Sequence, residues 1–357
     1  MTPTSAATAP GVVAARTIAD RILERVRAKN PLWGTYALDL TLDAMLEYFL
    51  ASGDVQYRDF VFTILKRRRI GDDGLLRSGS QPFGHLDYAI YRCTGDPGLL
   101  SLIVGEAQQL RTSVDRSPDG LVLHRNGRKA PPRVLVDFMQ DYIARMARAG
   151  ALTEFPDYWA EAEAQTRRHR DLLRDPTTGL WRQGRGWDPT DPNLLSPGAW
   201  SRGQGWVLRG LIDALAATPH VCATRHTLIG CLVELLEALA LRQDGDGFWH
   251  CLVDRPPSDS KTETSGTALI AAALYRSIAE GYIDAHAFRP AADRAFDAIA
   301  RKVDADGRVS GACAGPGPLN RQLMSRYIGL ENFREAEDHG WFSVLYACAA
   351  RHRLAAP

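Results

Sequence analysis

Asp137 stands at the end of the apolar run Val134-Leu135-Val136 and ahead of Phe138 and Met139. A carboxyl in apolar surroundings is held in its neutral form, which suits a proton donor near neutral pH. The same position, read as an acid in the first turn of a helix, would bond exposed N–H groups and titrate low. The residues alone leave both readings open. Asp141 lies one helical turn further and can share that face. Downstream, Trp200-Ser201-Arg202-Gly203-Gln204-Gly205-Trp206 opens a long apolar stretch. Arg202, flanked by indoles, suits a forked bond to a carboxylate, or else ties loop carbonyls together. Glycines within one helical turn cost stability, so they imply close packing or close approach of a ligand. Glu263-Thr264-Ser265-Gly266-Thr267 opens another apolar helix, with Glu263 either a cap or a second acid and Ser265 at the same end. Asp338-His339-Gly340-Trp341 opens the last one. A lone histidine is commonly structural, but His339 falls within this same group.

Tryptophan placement points the same way. Trp159 falls within a charged helix, whereas Trp33, Trp181, Trp187, Trp200, Trp206, Trp249 and Trp341 fall in long connections or at helix starts. Flat indole faces suit stacking on sugar rings; the competing account is that large indoles fill a crowded centre. The clustering favours sugar binding for the set.

The elements that must carry these residues are helical. Apolar periodicity predicts helices near 11–28, 34–53, 55–68, 83–94, 97–113, 133–149, 156–175, 201–217, 223–243, 262–280, 286–303 and 339–354. Short turns such as Gly95-Asp96-Pro97 alternate with long connections. The long ones repeat a pattern: Asp73-Gly74-Leu75-Leu76, Asp119-Gly120-Leu121-Val122, Thr178-Gly179-Leu180-Trp181, Asp246-Gly247-Phe248-Trp249 and Asp306-Gly307-Arg308-Val309. Such turns suit a hairpin tucked back on a helical body. Helices entering these connections are charged, and helices leaving them are small and apolar, so the latter must be buried on most sides. Charged outer helices alternating with apolar inner ones give an all-α (α/α)6 barrel, a toroid of six hairpins. The expected layout is one domain over 1–357, with residues 1–10 as a tail. The long connections then gather over the N-termini of the inner helices, where exposed N–H groups favour an anionic ligand. Gly311-Ala312-Cys313-Ala314-Gly315-Pro316-Gly317-Pro318 is expected over the mouth of that bowl.

Composition narrows the partners. A formal net charge of +1 with scattered Lys and Arg excludes a concentrated basic surface, so no nucleic acid partner is expected. No stretch reaches the length and apolarity of a membrane span. Cys93, Cys222, Cys231, Cys251, Cys313 and Cys348 form no CxxC pair and read as buried thiols in a reducing compartment. The start MTPTSAATAPGVVAARTIADRI lacks the basic start and apolar run of a secretory signal, so a cytoplasmic location is expected. With no metal spacing and no phosphate loop, no metal and no cofactor are expected.

Together these motifs resemble the unsaturated glucuronyl and rhamnogalacturonyl hydrolases of glycoside hydrolase families 88 and 105. Trp200 to Gln204 is similar to that group's Trp-x-Arg-Gly-Asn/Gln signature, and Val134 to Met139 to its apolar-Asp-x-Met segment. Glu263 to Ala268 is similar to its Ser-Gly helix start, and Asp338 to Trp341 to its last inner helix. The resemblance runs over nearly the whole chain and implies the six-hairpin toroid. It also implies removal of a 4,5-unsaturated uronic acid from an acidic oligosaccharide: an aspartic acid protonates C4, water adds at C5, and the hemiketal opens. Asp137 is then the acid. Arg202, Trp200, Gln204 and Trp206 would bind the unsaturated ring, with Trp33, His85, Gln183, Trp187, Ser265, His339 and Trp341 around it. The chain also departs from the pattern. No Asp precedes the helix that begins at Gln81-Pro82-Phe83-Gly84-His85; Asp87 comes about one turn late. Gln183 stands where the rhamnogalacturonyl branch carries a His, and Asp137 aligns across a small gap. An ordinary glycosidase or epimerase on the same toroid would need a second acid or a His pair, for which Asp87, Asp141, Glu263, His85 and His339 are candidates; an oligosaccharide-binding toroid would need neither. Monomer and homodimer both remain open.

Overall fold

The computed structural model describes residues 10–30, 35–68, 84–123, 133–186, 190–315 and 333–355. Among them run twelve α-helices: α1 Pro10–Lys29, α2 Tyr36–Ser52, α3 Val55–Arg68, α4 His85–Thr94, α5 Pro97–Ser113, α6 Ala144–Thr153, α7 Pro156–Leu173, α8 Ser201–Ala216, α9 Thr224–Ala240, α10 Thr264–Ala279, α11 Ala285–Ala300 and α12 Glu337–Ala355. Even-numbered helices pass into odd-numbered ones through tight turns. Gly53 (φ 73°) ends α2 and Gly95 (φ 67°) ends α4, in the left-handed conformation that suits a residue without a Cβ. Asp96 and Asp284 cap the helices that follow, accepting from Gly98 N–H and from His286 and Ala287 N–H.

Burial divides the helices as their composition predicts. In α8 every residue from Ser201 to Leu215 is buried, whereas α11 buries one stripe, Ala291, Ala292, Ala295, Phe296, Ala298 and Ile299. Helices α2, α12, α10 and α8 pack in sequence, α6 joins α8, α4 joins α2, and α1 packs on α12. Two rings therefore form an (α/α)6 toroid with the even-numbered helices inside. The repeated turns are hairpins, with Arg116 bridged to Val122, Arg174 to Trp181 and Val303 to Val309. Gly120, Gly179, Gly247 and Gly307 all have positive φ at their tips. At Gly307 a Cβ would lie 2.0 Å from Arg21 O on α1, so only glycine admits that contact. Gly74 lies outside the described residues.

The expected helix over 133–149 forms differently. Val134–Leu135 is a short strand, β1, antiparallel to β2, Gly184–Arg185. A π-helical turn, Met139–Ile143, follows and leads into α6. A Cβ on Gly210 of α8 would lie only 1.9 Å from Met139 O. The widened turn thus packs into the notch that glycine leaves, a local distortion of the kind that recurs at functional sites.

Because the inner helices run parallel, their negative dipole ends collect at one end of the toroid. Arginines meet them there: Arg209 pairs with Asp43 at 2.6 Å, Arg148 with Asp213 at 3.0 Å, Arg276 with Asp213 at 2.5 Å and Arg353 with Glu47 at 3.3 Å. Burial alone would raise the Asp213 pKa, but Arg276, Arg148 and Arg209 outweigh it and hold the carboxyl ionised. The opposite, N-terminal end carries the site. No helix among the described residues is long and apolar enough to cross a membrane.

Candidate active site

Asp137 is presented by the β1–β2 ribbon, in the turn just before the π-helical segment. Val136 N–H donates to Gln183 O at 2.8 Å, Gln183 N–H donates to Ser196 Oγ at 2.7 Å, and Met139 N–H donates to Val136 O at 3.1 Å. The backbone on both sides of Asp137 is therefore fixed, while its side chain keeps partial access to solvent. Burial pushes its pKa up to about 6; Arg202 and its own backbone N–H oppose this only in part. Of the two readings open from the residues, desolvation prevails over the helix-start one. A carboxyl of this kind carries a proton at mildly acidic pH.

Arg202, in the first turn of α8, is 1% exposed. Its Nη1 donates to Ser265 Oγ at 3.0 Å and to Cys313 O, and its guanidinium lies 4.4 Å over the Trp200 ring. Behind it, Ser265 Oγ donates to Glu263 Oε1 at 2.6 Å. Glu263 caps α10: Oε1 also accepts from Ser265 N–H at 3.1 Å and Cys313 N–H at 2.9 Å, while Oε2 accepts from Gly266 N–H at 2.5 Å and Ser201 Oγ at 3.2 Å. Arg202 Nε is buried with no hydrogen-bond partner among the described residues. A ligand anion meeting this wall would face an arginine already braced from behind.

A second group faces the same space from α2 and α12. Tyr36 OH is hydrogen-bonded to His339 Nε2, and His339 Nδ1 lies 2.8 Å from Asp338 Oδ1. Burial is the main influence raising the Tyr36 pKa; Arg202 lowers it and Asp137 raises it, so all three share one field. Burial likewise holds His339 below the ordinary histidine range, against the pull of Asp338. Among the described residues no three His, Cys, Asp or Glu side chains converge in a metal-sized group.

Several residues expected to bind the sugar are engaged in packing or in contacts to backbone. Gln204 fastens a loop: its Oε1 accepts from Trp181 N–H at 2.9 Å and its Nε2 donates to Trp181 O at 2.7 Å and Trp200 O at 3.2 Å. Its amide is thus committed to backbone. Thr267 does the same at the equivalent place in α10, accepting from Trp249 N–H at 3.0 Å, which gives the hairpin repeat a structural purpose. Trp206, 2% exposed, stacks on Phe342 with centroids 5.5 Å apart, and Trp181 and Trp249 are as deeply buried. For these indoles, packing of the crowded centre is the correct account, and no face remains for a sugar. His85 belongs to the arginine cluster: it accepts from Arg148 Nη1 at 2.9 Å, and burial keeps it neutral. Asp141 pairs with Arg145 at 3.0 Å, Asp87 is 4% exposed on α4, and Glu263 is consumed as a cap. Asp141 and Glu263 are thus engaged by protein partners. Gln183 contributes the carbonyl that fixes Val136, and Trp341 is 5% exposed with Lys29 Nζ 5.0 Å from its ring centre. Trp33 and Trp187 lie outside the described residues.

The order Asp137, Arg202, Glu263-Ser265, Asp338-His339 along one rim is the arrangement a sequence profile can detect, and the profile of glycosyl hydrolase family 88 matches residues 14–355. The chain belongs to glycosyl hydrolase family 88. This family 88 chain is 27% identical over 303 residues to an unsaturated rhamnogalacturonyl hydrolase of Bacillus subtilis, covering 84% of each protein. It is 30% identical over 127 residues, 34% of each protein, to an unsaturated 3S-rhamnoglycuronyl hydrolase of Formosa agariphila. Among solved structures, it superposes with a TM-score of 0.78 on a possible family 105 member from Klebsiella pneumoniae, at 21% identity over 99% of this chain and 96% of that one. The unsaturated glucuronyl hydrolase of Bacillus sp. GL1 gives a TM-score of 0.67 at 18% identity, over 95% of each. These superpositions establish the six-hairpin toroid. Within the family 88 site, Tyr36 is the residue that motif reading passes over. Its place as the first residue of an inner helix was the available signal, since Arg202, Ser265 and His339 also sit in first turns.

Proposed function

We propose that this chain removes a 4,5-unsaturated uronic acid from the non-reducing end of oligosaccharides left by polysaccharide lyases, with Asp137 as the acid. The observation that carries this reading is the Asp137 carboxyl, held near a pKa of about 6 by burial in the field of the buried Arg202. Asp137 gives its proton to C4 of the vinyl ether, and positive charge develops at C5 and the ring oxygen. A water oxygen bonds to C5 and its proton passes to the Asp137 carboxylate. The hemiketal opens to a ketone, the C1 hemiacetal collapses, and the remaining sugar chain leaves. Arg202, braced by Trp200 and Ser265, holds the substrate carboxylate, with His339 and Gln183 at the rim. Positioned proton transfer of this type is worth about 10²–10⁴-fold in rate. One carboxyl suffices because no glycosyl–enzyme bond forms, so the spacing rules for paired carboxylates do not apply.

The names of the Bacillus and Formosa relatives, both unsaturated-uronyl hydrolases, support the substrate class. The closure of the ring between α1 and α12 supports a single domain. The unpaired state of all six cysteines supports work in a reducing compartment such as the cytoplasm. The test is loss of the ultraviolet absorbance of the C4–C5 double bond on lyase-made oligosaccharides. Wild type removes it, and Asp137→Asn does not.

A further inference from the structure

We infer that the toroid carries a second anion site at the end opposite the bowl, a small arginine-lined cavity that takes a compact tetrahedral oxyanion of the phosphate or sulfate kind. Its walls come from five inner helices: Glu47 on α2, Arg148 on α6, Arg209 and Asp213 on α8, Arg276 on α10 and Arg353 on α12. The cavity measures about 40 Å³. A single water needs about 10–15 Å³ on that scale, so an oxyanion of a few atoms has room. Arg209 stands two turns beyond Arg202 on α8, which sets the two sites about 10 Å apart along that helix. The inference is independent of the hydration reading.

The charges around this cavity do not balance. Asp213 alone meets three guanidiniums, Arg276 at 2.5 Å, Arg148 at 3.0 Å and Arg209 at 3.5 Å. Glu47 meets two more, Arg92 at 2.5 Å and Arg353 at 3.3 Å, and Asp43 pairs with Arg209 at 2.6 Å. Five guanidiniums therefore share three carboxylates, and His85 beside them is held neutral by burial. The negative ends of the inner helices offset part of this surplus. They do not consume the donors, because the hydrogen bonds of these arginines run to carboxylates and to His85.

Unmet donors lie where the surplus is. Arg209 is 8% exposed, yet its Nη1 is buried with no hydrogen-bond partner among the described residues. Its Nε donates to Asp213 and its Nη2 to Asp43, and the Tyr346 ring lies 3.9 Å from the guanidinium carbon, so the group is fixed in place. A buried N–H of a charged group is costly to leave unmet, and an anionic oxygen is its strongest partner. Arg276 uses only Nη1, on Asp213, and Arg353 only Nη2, on Glu47. Ala272, Ala273, Ala349 and Ala350 line the same cavity and leave its space open. A planar carboxylate is satisfied by one guanidinium fork, whereas arginines arriving from three helices suit a tetrahedral anion.

The test is titration calorimetry with inorganic phosphate, sulfate and acetate on wild type, Arg276→Met, Ala272→Leu and Arg202→Met. Arg276 is partly exposed, and Asp213 keeps Arg148 and Arg209 without it, so Arg276→Met should fold. Ala272→Leu fills the cavity and removes no charge. Phosphate and sulfate should bind wild type at one site, with acetate about 10-fold weaker or worse. Affinity for phosphate should fall about 10-fold or more in Arg276→Met and Ala272→Leu and stay within about twofold in Arg202→Met. Phosphate should also raise the melting temperature of wild type and Arg202→Met, and not that of the two cavity variants. Should Ala272→Leu fail to fold, Arg276→Met decides. No binding of phosphate or sulfate to wild type overturns the inference. So does binding that survives in Arg276→Met and vanishes in Arg202→Met, which would put the anion in the bowl. No unsaturated sugar enters this test, so its failure leaves the hydration reading standing.

Discussion

Ser265 Oγ accepts a 3.0 Å hydrogen bond from Arg202 Nη1 while donating at 2.6 Å to Glu263. The guanidinium is thus set by two helix starts, α8 and α10, before any substrate arrives. Preorganised charge of this kind costs no rearrangement when the ligand binds. Replacing Arg202 by Met should raise KM about 10- to 100-fold, the scale of losing a charge-assisted hydrogen bond. Arg202 also lowers the Asp137 pKa, so its removal should move the alkaline limb of the rate profile above about 6. Initial-rate kinetics across pH on one substrate measures both effects.

Asp137 should weaken the fold as pH rises. Its folded-state pKa of about 6 exceeds the ordinary value of 3.8, so the folded protein favours the protonated form. Stability linked to this group is complete below the unfolded value and is lost as pH climbs through about 6. Asn at this position carries no charge to desolvate. Thermal denaturation should show Asp137→Asn matching wild type near pH 4 and exceeding it by about 1–2 kcal/mol near pH 7, after allowance for the partial solvent access of the side chain.

Glu263 acts on stability and not on proton transfer. Glu263→Ala removes the acceptor for Ser265, Gly266, Ser201 and Cys313 in a fully buried place. A loss of about 3 kcal/mol or more is expected by denaturant unfolding, with the alkaline limb of the remaining activity still set by Asp137.

Gln204 separates packing from binding. Because its amide bonds the Trp181 backbone, Gln204→Leu should cost about 1–3 kcal/mol in stability by leaving those groups unsatisfied. KM, measured on the same substrate, should stay within about twofold. A large KM rise with an unchanged melting temperature would instead put the amide on the sugar.

The legible parts of this molecule were local. Helix α5, Pro97–Ser113, falls where its Asp-Pro start and apolar spacing put it, and α3, Val55–Arg68, likewise. The bowl end followed from alternating connection lengths. What could not be read depended on partners far along the chain. The π-helical turn after Asp137 packs on Gly210, some seventy residues later. Gln204 sits in a motif that suggests sugar binding, yet its partner is the Trp181 backbone, |i−j| 23. Tyr36 meets His339 across |i−j| 303, a pairing that no spacing rule anticipates.

The most direct measurement is the decay of ultraviolet absorbance when purified protein meets lyase-generated unsaturated oligosaccharides from several acidic polysaccharides, run beside Asp137→Asn. The account predicts decay with wild type on at least one substrate, falling as pH rises through about 6, and none with folded Asp137→Asn. Decay at wild-type rate in Asp137→Asn, or none from folded wild type on any substrate, would contradict it.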